Sequence, residues 1–164
     1  MGTRCRDGKR AAGAAAGCGL GVAALVHAAW ASGVTWPAAS ADELADLVVG
    51  SRPFPRPAAT WAVSGALAAA AVVVAAGATD RGGKVGWVRL ASRAVAAALL
   101  LRGAGGLVVS GAGLGTATAS FRRGDLRVYS PLCLALGSLV AVSVRSPHDA
   151  SRRSARTSAD TSVR

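Results

Sequence analysis

Arg102 is the residue of this sequence whose position most invites a chemical role, because it stands alone inside a long apolar run. It falls near the middle of the stretch 94–114, roughly 15 Å deep at 1.5 Å per residue, close to the midplane of a hydrocarbon core about 30 Å thick. A central arginine costs about 2.5–3.5 kcal/mol on insertion scales. It should therefore face the interior of a helix bundle and find a partner there. Its Cα–Cβ bond leans toward the helix N-terminus, which predicts a side chain pointing that way. No acid falls within any of the apolar runs read here, so the partners on offer are backbone carbonyls, His27, Ser110, Ser138, water or a bound anion. A structural pin and an anion, lipid or ligand contact both fit. Gly103, Gly105 and Gly106 beside it would let another helix approach closely and would loosen that turn.

His27 is the second candidate, with Trp30 one turn on sharing its face. An intramembrane histidine serves as proton relay, as metal ligand, or simply as a hydrogen-bonded member of the bundle. The other histidine, His148, lies outside the apolar runs, so no di-histidine metal or haem site is expected from one chain. Asp125 and Tyr129, four residues apart, are expected just outside the last span, Tyr129 as an interface anchor and Asp125 in surface ion pairs with neighbouring arginines. No Ser/His/Asp set, phosphate loop, metal cluster or carboxylate pair is present. Cys5, Cys18 and Cys133 match no metal or redox spacing. No cofactor and no metal are expected.

The elements that must position these residues follow from composition. Of 164 residues 52% are hydrophobic but only 4% aromatic. Ala, Val, Leu and Gly supply long uncharged runs in place of the short alternation of a barrel strand. The expectation is an all-α polytopic membrane protein: a basic N-terminus over 1–10, a four-helix domain over 11–145, and a disordered tail over 146–164. Spans are predicted at about 11–31, 58–78, 94–114 and 131–145. The first is read as a retained helix, being longer than the apolar core of a signal peptide. Between the first two spans, Ser40 and Glu43 form a capping box for a short amphipathic surface helix that Gly50 would end. Pro53, Pro55 and Pro57 then break regular structure. Ser130 as N-cap and Pro131 behind it predict the start of the fourth span. Gly13, Gly17 and Gly21 form a repeated G-x-x-x-G expected to pack helices.

The net charge of +11 is carried between and outside these runs, which favours lipid contact over nucleic acid. With the N-terminus inside, 13 Lys and Arg fall on the cytoplasmic side and 5 outside. The positive-inside rule thus predicts a multi-pass protein of the cell membrane with both termini cytoplasmic.

Several short motifs then line up. They are His27-Ala28-Ala29-Trp30-Ala31, Trp36-Pro37, Glu43-Leu44-Ala45, Val48-Val49-Gly50, Leu101-Arg102-Gly103, Gly105-Gly106-Leu107, and Phe121, Asp125 and Tyr129-Ser130-Pro131-Leu132-Cys133. Together the chain resembles the small four-helix membrane proteins of domain-of-unknown-function family 3995, common in high-GC bacteria. The resemblance covers about residues 15–145 and implies a four-helix fold and a membrane location, but no activity. Three functions stay open. The leading one is a non-enzymatic structural or partner-binding subunit, surrounded by lipid and packed with another membrane protein or a second copy. The alternatives are a small-anion or lipid carrier using Arg102, and a membrane-embedded enzyme in which His27, Arg102, Asp125 and Tyr129 converge.

Overall fold

A computed structural model describes residues 2–79 and 85–145, the side chains from residue 6 onward. The tail 146–164, with His148, and Asp80, Arg81 and Lys84 of the second connection lie outside the described residues.

Runs of Ala, Val, Leu and Gly have no water partner for their backbone in lipid, and the helix satisfies every internal N–H and C=O. Four long helical stretches result, each long and apolar enough to cross a membrane: Arg6–Ala31, Pro57–Gly77, Gly86–Gly111 and Ala119–Ser143. In chain order the elements are α1 (Gly2–Ala31), α2 (Ala41–Val48), α3 (Pro57–Gly77), α4 (Gly86–Gly111), α5 (Ala119–Gly124), a π-helical segment (Asp125–Tyr129) and α6 (Ser130–Ser143). Three boundaries move outward from the sequence expectation, the start of the last span, now at Ala119, among them. α1 continues through the polar N-terminus to Gly2, and α4 takes in Arg89 and Arg93 of the basic connection.

α1 packs on α3 and α6, and α4 packs on α6 and α3, so the four rods form a ring with α1 and α4 on one diagonal. The buried core joins Ala16 and Leu20 of α1, Val74 of α3, Ala96 of α4, and Leu136 and Val140 of α6. Lys9 Nζ donates to the Arg145 carbonyl at 2.7 Å, which sets the start of the first rod beside the end of the last. Exposed Trp36 and Trp61 at one end of the bundle and Trp87 at the other suit the two interfacial belts of a membrane protein.

Lipid tails are as apolar as leucine, so association of the rods rests on close contact and polar glue. A methyl group at Gly17 would stand 3.3 Å from the Ala71 carbonyl oxygen, and one at Gly13 would strike Ala78. Gly21, the third member of the expected packing row, has nothing within 4 Å. It packs against no helix of this chain, although α1 and α3 stay in contact beyond it at Ala24. Ser64 Oγ donates to the Ala24 carbonyl at 2.8 Å, and Ser92 Oγ to that of Val73 at 3.5 Å, each crossing to a neighbouring rod.

α2 forms as expected at its start: Ser40 Oγ accepts from Glu43 N at 3.2 Å, and Glu43 Oε2 accepts from Ala39 N at 2.9 Å. Gly50, at φ +84°, turns the chain out of the helix. Its apolar face does not wait for the bilayer, however. Leu44 and Ala45 are buried, and the helix docks on α5. Thr118 Oγ1 donates to the Asp46 carbonyl at 2.5 Å and Tyr129 Oη to that of Leu47 at 3.3 Å. Arg52 grips the Asp46 carboxylate, and this hydrogen bond holds its pKa below the ordinary 3.8. The α2 segment is thus a cap on one end of the bundle.

The glycine contacts give a paired test. Gly17→Leu should destabilise the bundle by about 1–3 kcal/mol through overpacking, while Gly21→Leu should stay within about 0.5 kcal/mol of wild type. Unfolding measured by steric trapping in bicelles distinguishes the two, and equal effects would contradict the α1–α3 interface described here.

Candidate functional site: a buried carboxylate beside Arg102

The last rod is one continuous helical stretch, and this changes what surrounds Arg102. The sequence expectation placed the start of the fourth span at Ser130-Pro131, with Asp125 in a polar loop. Instead Thr118 caps α5, its Oγ1 accepting from Phe121 N at 3.2 Å, and the helix runs on to Ser143. Pro131 has no N–H and its ring presses on the preceding turn, so an unmodified α-helix would be broken there. The π turn relieves this: Ser130 N–H bonds the Asp125 carbonyl, five residues back. Ser130 is therefore no N-cap; its backbone is helical, at φ −67° and ψ −46°.

The same turn puts two side chains together. In a regular α-helix residues five apart lie about 140° apart around the axis, at 100° per residue. The π turn instead brings Ser130 alongside Asp125, and Ser130 Oγ donates to Asp125 Oδ1 at 3.0 Å. Arg102 Nη2 donates to the same oxygen at 2.9 Å, and Ser110 Oγ donates to Oδ2 at 2.6 Å. Asp125 is 1% exposed. The expected surface ion pair is a buried one, and Arg102 does have a carboxylate partner inside a membrane-spanning helix.

Arg102 also points the other way from expectation. A Cβ on Gly106 would fall onto the Arg102 guanidinium and Ser130 Oγ, and within 2.8 Å of Asp125 Oδ2. The side chain has therefore climbed one turn toward the α5 end and occupies the space that Gly106 leaves. Gly103 lets α6 approach, since a methyl there would stand 2.9 Å from the Ser130 carbonyl oxygen. Gly105 packs no helix, with nothing within 4 Å. It opens instead onto a cavity of about 350 Å³ whose polar edge is Arg102, Ser110 and Asp125. Arg122 Nε donates to the Ser110 carbonyl at 3.3 Å, closing the end of α4.

The remaining candidates lie elsewhere. His27 Nδ1 donates to the Ala23 carbonyl at 2.8 Å, which fixes that nitrogen as the protonated one, and its ring leans on Trp30 with centroids 5.0 Å apart. Trp30 Nε1 donates to the Trp36 carbonyl at 2.8 Å, tying the loop back to α1. α1 lies diagonally opposite α4, so His27 and Arg102 do not meet. Tyr129 turns to α2 and stacks loosely on Phe121, centroids 6.2 Å apart. The four-residue convergence considered for an enzyme thus reduces to one pair, Arg102 and Asp125. Ser110 and Ser130 complete it. From sequence Ser110 reads only as a partner of Arg102, and Ser130 only as a cap.

The family model for proteins of unknown function DUF3995 matches residues 20–140. The chain belongs to that family. No curated protein and no solved structure matches it. The matched stretch contains Arg102, Asp125, Ser110 and Ser130 together with all of α2, α3 and α4.

Removing Arg102 leaves the buried Asp125 carboxylate without its cation, whereas removing Asp125 leaves a half-exposed guanidinium. Arg102→Leu should destabilise the DUF3995 bundle by about 3–5 kcal/mol and Asp125→Leu by less, while the double variant should recover most of the Arg102→Leu loss. Unfolding free energies for the three variants close a double-mutant cycle. Additive losses would show that the pair is not coupled.

Proposed function

We propose that this chain is a non-enzymatic subunit of the cell membrane, a pre-formed four-helix scaffold that packs against another membrane protein or a second copy of itself. The observation that carries this reading is the state of Asp125. Its carboxylate accepts from Arg102, Ser110 and Ser130, each at 3.0 Å or less. A carboxylate so occupied acts as a lock between α4 and the last rod, with three of its roughly four acceptor sites taken up before any substrate arrives. His27 and Tyr129 are likewise spent on backbone carbonyls. The polar groups thus hold the fold, and the outward apolar rows, Leu90, Leu101 and Val108 of α4 among them, are left for neighbours in the membrane.

Orientation belongs to the same reading. The contact of Lys9 with Arg145 brings the N- and C-terminal ends of the bundle to one face, and the 13-to-5 bias of basic residues supports a cytoplasmic location for that face.

Native mass spectrometry of complexes ejected directly from membrane vesicles tests the proposal. The chain should appear in an assembly of fixed stoichiometry that survives in the Arg102→Leu/Asp125→Leu double variant. A chain that leaves the membrane only as a monomer would overturn the scaffold reading.

A further inference from the structure

Arg102 is only half satisfied by its lock. A guanidinium has five N–H donors, and among the described residues the bond recorded for Arg102 is the single one from Nη2 to Asp125. Its side chain remains 47% exposed. That exposed part faces the cavity of about 350 Å³, whose other walls are Leu101, Val109 and Phe121, with Gly105 and Gly106 as its floor. Leu101 is 73% and Val109 48% exposed. The result is an apolar trough along α4 with a cation at one point of its wall.

Depth decides what such a trough can hold. The guanidinium lies at the level of Gly106, five residues short of the helix end at Gly111, or about 8 Å along the axis. The side chain reaches that level by stretching toward the α5 end, the path by which a buried arginine brings its charge to the headgroup region. Arg122 holds the Ser110 carbonyl at the same end. The two arginines and Asp125 leave a net positive charge there. A water-filled trough would strand the apolar walls, and a bare acyl chain would strand the guanidinium. An amphiphile with an anionic head and an apolar tail satisfies both.

We propose that the trough beside Arg102 binds an anionic phospholipid of the leaflet on the α5 side, the phosphate against the Arg102 guanidinium and one acyl chain along Leu101, Gly105 and Val109. The guanidinium donors left over from the Asp125 bond are the ones that meet the phosphate. Asp125 sets the plane of the guanidinium and takes no part in contact with the lipid. The site goes beyond the scaffold reading, since it needs no protein partner.

Gly105 supplies the test. A side chain there meets nothing within 4 Å, so Gly105→Leu fills the trough and leaves the Arg102–Asp125 lock intact. Wild type and variant would be held in nanodiscs of four parts phosphatidylcholine to one part phosphatidylglycerol and released into a native mass spectrometer. Wild type should retain one phosphatidylglycerol. The variant should retain it at least about tenfold less, with an unchanged unfolding temperature. Lipids retained in proportion to supply, or phosphatidylglycerol kept by the variant, would overturn the proposal. So would a saturable shift of the Arg102 guanidinium ¹⁵N resonances by inorganic phosphate in discs of phosphatidylcholine alone, which would assign the site to a soluble anion. A protein bound to wild type over this trough and displaced by Gly105→Leu would assign it to a partner helix instead.

Discussion

A carboxylate in a medium of low dielectric constant must be neutralised, hydrogen-bonded or protonated, because its own solvation is gone. Asp125 meets that demand with donors from three places: Arg102 and Ser110, two turns apart on α4, and Ser130 at the head of α6. Much of the local structure around it follows from that requirement. Gly106 has no side chain because the guanidinium, the Ser130 hydroxyl and the carboxylate share the space where one would be. Ser110 is buried because its hydroxyl belongs to the carboxylate. The π turn exists where Pro131 cannot donate, and it is this turn that carries Asp125 round to Ser130.

Away from that cluster the bundle is held by weaker and more diffuse means. Its core is built from alanine, valine and a few leucines, and its rods touch through glycines and serine-to-carbonyl bonds. In a membrane such contacts give modest energies each, on the order of 1 kcal/mol for a hydrogen bond between helices. A single charged, well-bonded pair therefore weighs heavily in fixing how α4 meets the last rod. Between α1 and α3 the contacts described are surface fit at Gly13 and Gly17 and the bond from Ser64 to the Ala24 carbonyl.

The four rods and the cap of α2 were legible in the sequence because both are local signals: long uncharged runs, and a Ser40–Glu43 box three residues apart. Arg102 was legible as an oddity in its run. Its partner was not, since charge density around Arg122, Arg123 and Arg127 reads as a loop, and Ser130-Pro131 reads as a helix start. One number held the clue. A span beginning at Pro131 and ending near Ser143 covers only about 20 Å at 1.5 Å per residue, too short for a core about 30 Å thick. The missing length lay on the N-terminal side, where Thr118 supplies the true cap. The direction of the Arg102 side chain was beyond sequence reasoning, because it is set by the vacancy at Gly106 and by a carboxylate on another helix, and those outweigh the lean of the Cα–Cβ bond.

The π turn has a mechanical meaning as well. It stores one residue of slack in the last rod, and in an α-helix each residue is worth about 100° of rotation about the axis. A regular α-helix would carry Asp125 away from Ser130, while α6 beyond Pro131 is seated on α1 and α4 through Leu136, Gly137 and Val140. The rod is thus wound in two parts joined at the π turn, and Asp125 stands at the junction. Its grip on Arg102 fixes not only where the helices stand but how far the upper part of the rod is wound.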